Sequence, residues 1–260
     1  MTVSRQLRKL IGHLEENGFA DTAGAVYNHV ERSIVRRIDG TPGYYRAQWL
    51  RLRRLYEESA ITPVWVSPTA ITNLTGRYER RDDGHLDYVP HFKPREASWT
   101  DLDYEQEIPY GTVKSGDWDR GQEPFSNLLM YQGTKQRFVE GRNWDETIYY
   151  GELVDRFREQ GWDDADAEAL AIERCNRIET TYKRIDRDGY RSQRELNGHP
   201  LHEVTVTIGR DGNVLYNCEG RHRLCVAKVL GIEAIPVLVL ARHELFQGTI
   251  EASTPRREQR

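Results

Sequence analysis

The spacing of apolar side chains over the first 60 residues predicts three short helices. Ser4 and Asp21 precede the first two, where a small polar side chain can accept hydrogen bonds from the unpaired amides of a first helical turn. Thr41 and Pro42 begin the third, because proline is well tolerated at the first helical position. The stretch 1–60 is therefore predicted to form an N-terminal helical region.

The middle of the chain has a less regular pattern. Residues 64–66 predict a short strand, and residues 108–119 contain a possible second strand. Residues 76–107 are polar and contain proline, so we expect a long loop or an insertion there. Residues 123–160 are mainly helical in pattern, with Trp144 opening one of the helices.

A strong helix is predicted to begin at Asp163 or Asp164 and to end at Gly189. Its apolar residues recur at spacings of four and three, which is typical of a helix with one narrow buried face. Together with the preceding segment, this helix predicts a helical insertion over about 123–187. The apolar positions are Ala171, Cys175, Ile178, Tyr182 and Ile185.

The C-terminal part has a clear strand and turn pattern. Val204, Val206 and Ile208 alternate with polar residues, which predicts a half-buried strand. Asp211 and Gly212 form a hairpin turn signal before a returning strand over 214–216. A helix over 224–230 and a buried strand over 235–240 follow. The polar residues 246–260 predict a disordered tail.

Composition changes this picture only slightly. The chain is 38% hydrophobic and 30% charged with a net charge of −4, which favours a globular protein and gives no overall attraction to nucleic acid. No apolar run approaches the roughly 18 residues of a membrane helix, and the first residues do not resemble a signal peptide. We therefore expect a cytoplasmic protein without a membrane span. Its three cysteines form no metal-binding pair, and we expect reduced thiols.

The run Cys-Glu-Gly-Arg-His-Arg, from Cys218 to Arg223, is the clearest candidate for chemistry. Glycine lets the backbone turn sharply, and the first turn of a helix presents unpaired amides to an anion. Arg221 and Arg223 offer guanidinium groups that match phosphate oxygens, and His222 can donate a hydrogen bond or move a proton. Glu219 can hold Mg²⁺ or act as a base. Cationic residues at the positive end of a helix favour a bound anion over an ordinary surface.

This motif and its surroundings resemble the ParB/sulfiredoxin superfamily. The shared order is strand, turn, strand, Gly-Arg-His-Arg-Leu, helix, Leu-Gly, Ile-Pro-Val and strand, and the resemblance is good over about 190–243. It implies an α/β (α+β) fold in which a mixed sheet with helical insertions occupies 61–245. It also implies that the loop binds nucleotide phosphates, since partition proteins bind CTP there and sulfiredoxins bind ATP.

Matched by position, Gly220 takes the glycine place of that loop, Arg223 the arginine place and His222 the histidine place of sulfiredoxins. Arg221 stands where sulfiredoxins carry their cysteine, which argues against repair of sulfinic acids. The glutamate of partition proteins is also missing there, which argues against a CTP clamp. Glu219 stands where the related free-serine kinases have an acid, so the resemblance favours phosphotransfer to a small molecule.

Two other segments are candidates for completing the pocket. Gln193 lies in a run similar to a glycine–glutamine turn of ParB-like domains, and is expected to contact the nucleotide. Lys114 and Ser115 are expected to meet phosphate, and Asp117 or Asp119 to handle metal or substrate. Asp117 is in addition a candidate catalytic residue, and Asp119 and Glu219 are the candidate metal ligands. The alternative for 114–119 is a surface turn with Trp118 packed into the core, and the sequence favours neither.

Three functions remain open from the sequence. The first is a Mg²⁺-dependent phosphotransferase or nucleotide hydrolase that binds ATP, ADP or CTP and acts on an unknown small molecule. Its catalytic candidates are Glu219, His222 and Asp117. The second is a DNA-associated protein that uses the nucleotide as a switch and places its arginine-rich helix, 44–58, on DNA. The third is an anion-binding module without chemistry. A homodimer is compatible with each.

Overall fold

The computed structural model describes residues 63–80, 86–95, 104–198 and 200–248. The predicted N-terminal region 1–60, with its arginine-rich helix, lies outside the described residues, as does the predicted tail from 249 onward. Within the described ranges, no helix has both the length and the apolar character needed to cross a membrane.

The described part of the chain contains ten strands and four α-helices. The strands are β1 (Val64–Val66), β2 (Ile71–Leu74), β3 (Gly76–Arg80), β4 (Leu86–Pro90), β5 (Phe92–Pro94), β6 (Gln106–Ile108), β7 (Thr112–Lys114), β8 (Val204–Ile208), β9 (Val214–Tyr216) and β10 (Ile235–His243). The helices are α1 (Leu129–Phe138), α2 (Ile148–Glu159), α3 (Asp164–Asp188) and α4 (Arg221–Val229).

Six of the strands form a mixed sheet around β10, which confirms the expected α+β class. One edge of β10 pairs in parallel with β8, and the other pairs first with β1 and then with β7. The hairpin of β8 and β9 is antiparallel, and β2 adds to β9 in parallel. The motif loop therefore leaves β9 on one side of β10, while β7 lies on the other side.

Strand β8 corrects one sequence expectation. Its alternating pattern predicted a half-buried strand, but every residue in it is buried. The threonines bond to other buried hydroxyl groups, since the hydroxyl of Tyr110 lies 3.0 Å from that of Thr205 and the hydroxyl of Thr75 bonds to Thr207. A hydroxyl that is hydrogen-bonded can be buried at little cost, so polar residues here do not indicate solvent.

The long loop predicted over 76–107 is also wrong for the described part of that segment. Strands β3 and β4 form an antiparallel pair, and β5 pairs in parallel with β6. Tyr88 and Phe92 on these strands are buried, and a Cβ at Gly76 would lie 2.2 Å from the carbonyl oxygen of Val89. The strands have only three to five residues each and few apolar side chains, so a local apolar pattern does not reveal them.

The helices predicted between 123 and 187 are present as α1, α2 and α3. Asp163 caps α3 by accepting a hydrogen bond from the amide of Asp166 at 2.9 Å, and Gly189 ends it with a positive φ of 75°. The predicted stripe is buried at Ala171, Cys175, Ile178 and Ile185, while Tyr182 is partly buried. Helix α3 packs against α2 and α4.

Gly220 connects the motif loop to α4. Its φ is 72°, in the left-handed region, and a Cβ there would lie 2.8 Å from both the nitrogen and the Cα of Val204. The loop runs beside β8, because the amide of Thr205 donates to the carbonyl oxygen of Glu219 at 3.3 Å. Only glycine permits both the backbone angle and this close approach, so the sharp entry into α4 depends on it.

We expect Gly220→Ala to lower the free energy of unfolding by roughly 2–5 kcal/mol, because a left-handed angle and backbone crowding both oppose a methyl group. Gly231→Ala is a matched control, since Gly231 has a φ of 66° and no atom within 4 Å of an added Cβ. It should lose only about 1–2 kcal/mol for the backbone angle. Urea unfolding of both variants measures the difference. Equal losses would show that the contact with Val204 is unimportant.

Candidate anion-binding site

The motif residues from Cys218 to Arg223 line one cleft of about 600 Å³. One wall carries Tyr78 of β3 and Tyr88 of β4, and helices α2 and α3 form the facing wall. The motif lies at the base, where α4 begins. The remaining charged and polar lining residues are Glu152, Arg156, Arg174, Thr181, Arg184, Gln193 and His202.

Arg221 is partly buried in this cleft without an ion pair to any described carboxylate. Burial opposes its charged form, but the nearby hydroxyls of Tyr216 and Tyr149 outweigh this, so its pKa is raised above the ordinary value. The hydroxyl of Tyr78 is buried at the wall with no hydrogen-bond partner among the described residues. A guanidinium that faces a cleft without a carboxylate partner can pair with an anionic ligand, so the arrangement favours a bound anion.

Glu219 and His222 have strongly shifted ionisation. Burial raises the pKa of Glu219 to about 7, and the positive charge of Arg221 only partly offsets this. Burial, together with the positive charges of Arg221 and Arg174, lowers the pKa of His222 to about 4. At neutral pH the imidazole is therefore uncharged, and the carboxyl group can exchange a proton. A carboxyl group tuned near 7 in a cleft is suited to general acid–base chemistry.

The motif resemblance implies that Arg223 binds phosphate, but in the structure its guanidinium contacts other protein groups. Its guanidinium donates to Oε2 of Glu203 at 2.9 Å and to the carbonyl oxygen of Arg191, and it lies 4.4 Å from the ring centroid of Tyr190. Both members of the ion pair are buried. Although Arg223 lines the cleft, its charge is already neutralised. The structure therefore makes Arg221, rather than Arg223, the arginine available to an anion.

The cysteines are poor nucleophiles. Cys175, Cys218 and Cys225 are all buried and unpaired. Burial raises the pKa of Cys175 and of Cys225 to about 12, and it raises the pKa of Cys218 as well. Since the thiolate is the reactive form, the site is not arranged for cysteine chemistry.

Gln193 lines the cleft, although the segment containing it lies after α3. Its backbone amide donates to Oε1 of Glu203 at 2.5 Å. The buried Glu203 therefore joins the turn at Gln193 to the motif arginine Arg223. This connection brings two separate sequence segments to one edge of the cleft.

The segment 114–119 does not reach the motif. Lys114, Ser115 and Asp117 line a separate cavity of about 510 Å³, on the side of β10 where β7 lies. Lys114 Nζ donates to Oε1 of Gln106 at 2.8 Å. The predicted joining of these residues with Glu219 is wrong, because β10 and β8 separate β7 from the motif strand β9.

The carboxylate of Asp119 also binds groups outside the cleft. Its carboxylate accepts hydrogen bonds from the backbone amide and the guanidinium of Arg210, both at 2.7 Å, and Asp117 accepts from the same guanidinium at 2.7 Å. Burial would raise the pKa of Asp119, but these bonds lower it. A metal shared by Asp119 and Glu219 is therefore incompatible with the fold. Among the described residues, no three His, Cys, Asp or Glu side chains are grouped to hold a metal ion.

The sequence reasoning missed the arginines on the facing wall. Arg174 and Arg184 lie on the polar face of α3, where a regular helix pattern indicates only a solvated surface. Their membership of the cleft follows from the packing of α3 on α4, which is a contact between residues distant in sequence. Spacing alone therefore does not identify them.

No protein-family model, curated protein or solved structure matches this chain.

Proposed function

We propose that the protein binds a nucleotide through its phosphates in this cleft and transfers or hydrolyses a phosphoryl group, acting on a small molecule. The observation that carries the proposal is the position of Arg221, an unpaired and partly buried guanidinium at the start of α4 beside Glu219. Phosphate is the anion that helix N-termini and arginine forks commonly bind together.

A ParB/sulfiredoxin-like fold is part of this proposal. The order β8, turn, β9, motif, α4 and β10 supports it, with β10 parallel to β8. The left-handed Gly220 before α4 also fits a loop over which phosphates pass closely. The departures at Arg221 and Glu219 favour phosphoryl transfer over sulfur chemistry.

The proposed chemistry uses two side chains beside the phosphate. Arg221 and the first amides of α4 neutralise charge on the phosphate oxygens. Glu219, in its ionised form, accepts the proton of the attacking hydroxyl or water as the new oxygen–phosphorus bond forms. The bond to the leaving phosphate oxygen breaks, and the nucleotide leaves with one phosphate fewer. His222 stays neutral and contributes a hydrogen bond.

Two carboxylates line the cleft, and Glu152 is paired with Arg156, so Glu219 is the residue that would hold Mg²⁺. This carboxylate makes no ion pair with a described residue, whereas Asp119 is bound to Arg210. One carboxylate is compatible with Mg²⁺, which commonly keeps several waters and takes other ligands from substrate phosphates. When bound, the ion would neutralise phosphate charge.

Thermal unfolding with ATP, ADP and CTP, each with and without Mg²⁺, tests the binding step. A nucleotide at about 100 times its Kd should stabilise the fold by about 2.7 kcal/mol. Arg221→Gln should weaken that binding by roughly 10- to 150-fold, because hydrogen bonds to a charged group contribute about 1.5–3 kcal/mol. Arg221→Gln should leave the unliganded protein folded, since it breaks no ion pair with a described carboxylate and removes only the contact with the Tyr216 hydroxyl.

Arg187→Gln serves as the control, because Arg187 is exposed on α3 and pairs with Asp188 at 2.7 Å. It should leave nucleotide affinity unchanged. If no nucleotide shifts the unfolding temperature of the wild-type protein, the proposal that the cleft binds nucleotide phosphates is contradicted. If nucleotides bind but no product forms with any acceptor or with water, the cleft belongs to a binding module.

A further inference from the structure

The facing wall of the cleft carries two arginines that are widely spaced. Arg174 and Arg184 both line the cleft from α3, with Thr181 between them on the same face. Ten residues separate them, which places their Cα atoms about 15 Å apart along a helix. Neither forms an ion pair with a carboxylate in the described part of the chain.

Arg174 belongs to the motif end of the cleft. Its charge and that of Arg221 act on the same two side chains, His222 and Tyr149. The two arginines therefore share one electrostatic neighbourhood. An anion held by Arg221 and the start of α4 is also attracted by Arg174.

Arg184 lies near the other end of the cleft. It also lines a small adjoining pocket together with Gly189, Arg191 and Arg223, and its charge acts on Tyr190. Arg223 at this end is neutralised by Glu203, and Asp188, which also lines the small pocket, pairs with Arg187. Arg184 and Arg191 are the cations available there, and of these two only Arg184 also lines the main cleft. Helical side chains lean toward the N-terminus of their helix. Arg174 and Arg184 thus lean in the same direction, and their heads stay apart.

We infer that Arg184 marks a second anion subsite, distinct from the one at Arg221, which binds a phosphate or carboxylate group of the acceptor substrate. The inference rests on the proposed function for the identity of the first anion. Thr181 and Gln193 supply neutral hydrogen-bonding groups beside it. The acceptor is then a small anionic molecule, positioned so that its hydroxyl faces the phosphate held at the motif.

The subsite is tested on protein saturated with a non-hydrolysable analogue of whichever nucleotide binds. Inorganic phosphate and acetate are then titrated separately against chloride at equal ionic strength, with thermal unfolding as the readout. At least one anion should raise the unfolding temperature further, and the one that does so identifies the acceptor group. Arg184→Gln should weaken this second binding by about tenfold or more, as loss of a charge-assisted hydrogen bond predicts, and should leave nucleotide affinity little changed.

Arg187→Gln controls for general charge effects on α3 and should alter neither binding step. Phosphate also stabilises proteins non-specifically, so an anion effect that persists equally in Arg184→Gln overturns the subsite. A nucleotide affinity that falls in Arg184→Gln as much as in Arg221→Gln also overturns it, because one polyphosphate chain then spans both arginines. If no nucleotide binds at all, the proposed function fails. Phosphate and acetate titrations of the unliganded wild-type and Arg184→Gln proteins then decide the subsite by themselves.

Discussion

Glu219→Gln is expected to lower turnover by about 100- to 10,000-fold, the usual contribution of a general base. Glutamine keeps the size and hydrogen-bonding capacity of the side chain but cannot accept the proton. Nucleotide binding should change much less, because Arg221 and the amides of α4 remain. Product formation under saturating nucleotide measures the first effect, and thermal shift measures the second.

The same carboxyl group predicts a pH dependence. Turnover of the wild-type protein should rise as pH increases through about 7, where Glu219 loses its proton, and this rise should be missing in Glu219→Gln.

The free energy of unfolding should change in the opposite direction and fall as pH rises. A carboxyl whose pKa is raised from 4.5 to about 7 destabilises the fold as pH rises through that interval, since the unfolded chain releases the proton first. The Glu219→Gln variant should not show this fall in stability.

Glu168→Gln is the control for removal of a carboxylate, because Glu168 is exposed on α3 and lies outside the cleft lining. It should retain wild-type turnover and pH profile. Unchanged turnover in Glu219→Gln would remove Glu219 as the base. Loss of nucleotide binding in the same variant would instead assign it a role in holding the ligand or its metal.

Arg223→Met is expected to lower the free energy of unfolding by roughly 3–5 kcal/mol, because it leaves Glu203 buried with an uncompensated charge. Glu203 is 2% exposed, and burial raises its pKa although Arg223 opposes this. The variant also loses the contact with Tyr190 and the bond to Arg191. Urea unfolding provides the measurement.

A double variant, Glu203→Leu with Arg223→Met, separates structure from ligand binding. Replacing both members of a buried ion pair by apolar residues is often nearly neutral, so the double variant should recover much of the lost stability. It should also retain nucleotide binding, because Arg221 is intact. A stable Arg223→Met protein that no longer binds nucleotide would contradict this and restore the phosphate role implied by the motif.

Local patterns predicted the features of the fold that depend on neighbours in sequence. The cap at Asp163, the end of α3 at Gly189 and the β8–β9 hairpin are all present. The strands between 76 and 107 were missed because each has only three to five residues and few apolar side chains, although β3 and β4 are neighbours along the chain. The burial of Thr205 and Thr207 was missed because their hydroxyl partners, Tyr110 and Thr75, lie 95 and 132 residues away along the chain.

The sequence by itself determined that the chain has a strand–glycine–helix motif rich in arginine, because a glycine at a helix start and consecutive cations are local features. Which arginine remains available to an anion was decided only by tertiary structure. Glu203 neutralises Arg223, the tyrosines surround Arg221, and the packing of α3 on α4 adds Arg174 and Arg184. The separation of 114–119 from the motif has the same origin, since sheet order places β7 beyond β10. Charge pairing and strand order arise from contacts between distant residues, and these contacts exist only in the folded chain.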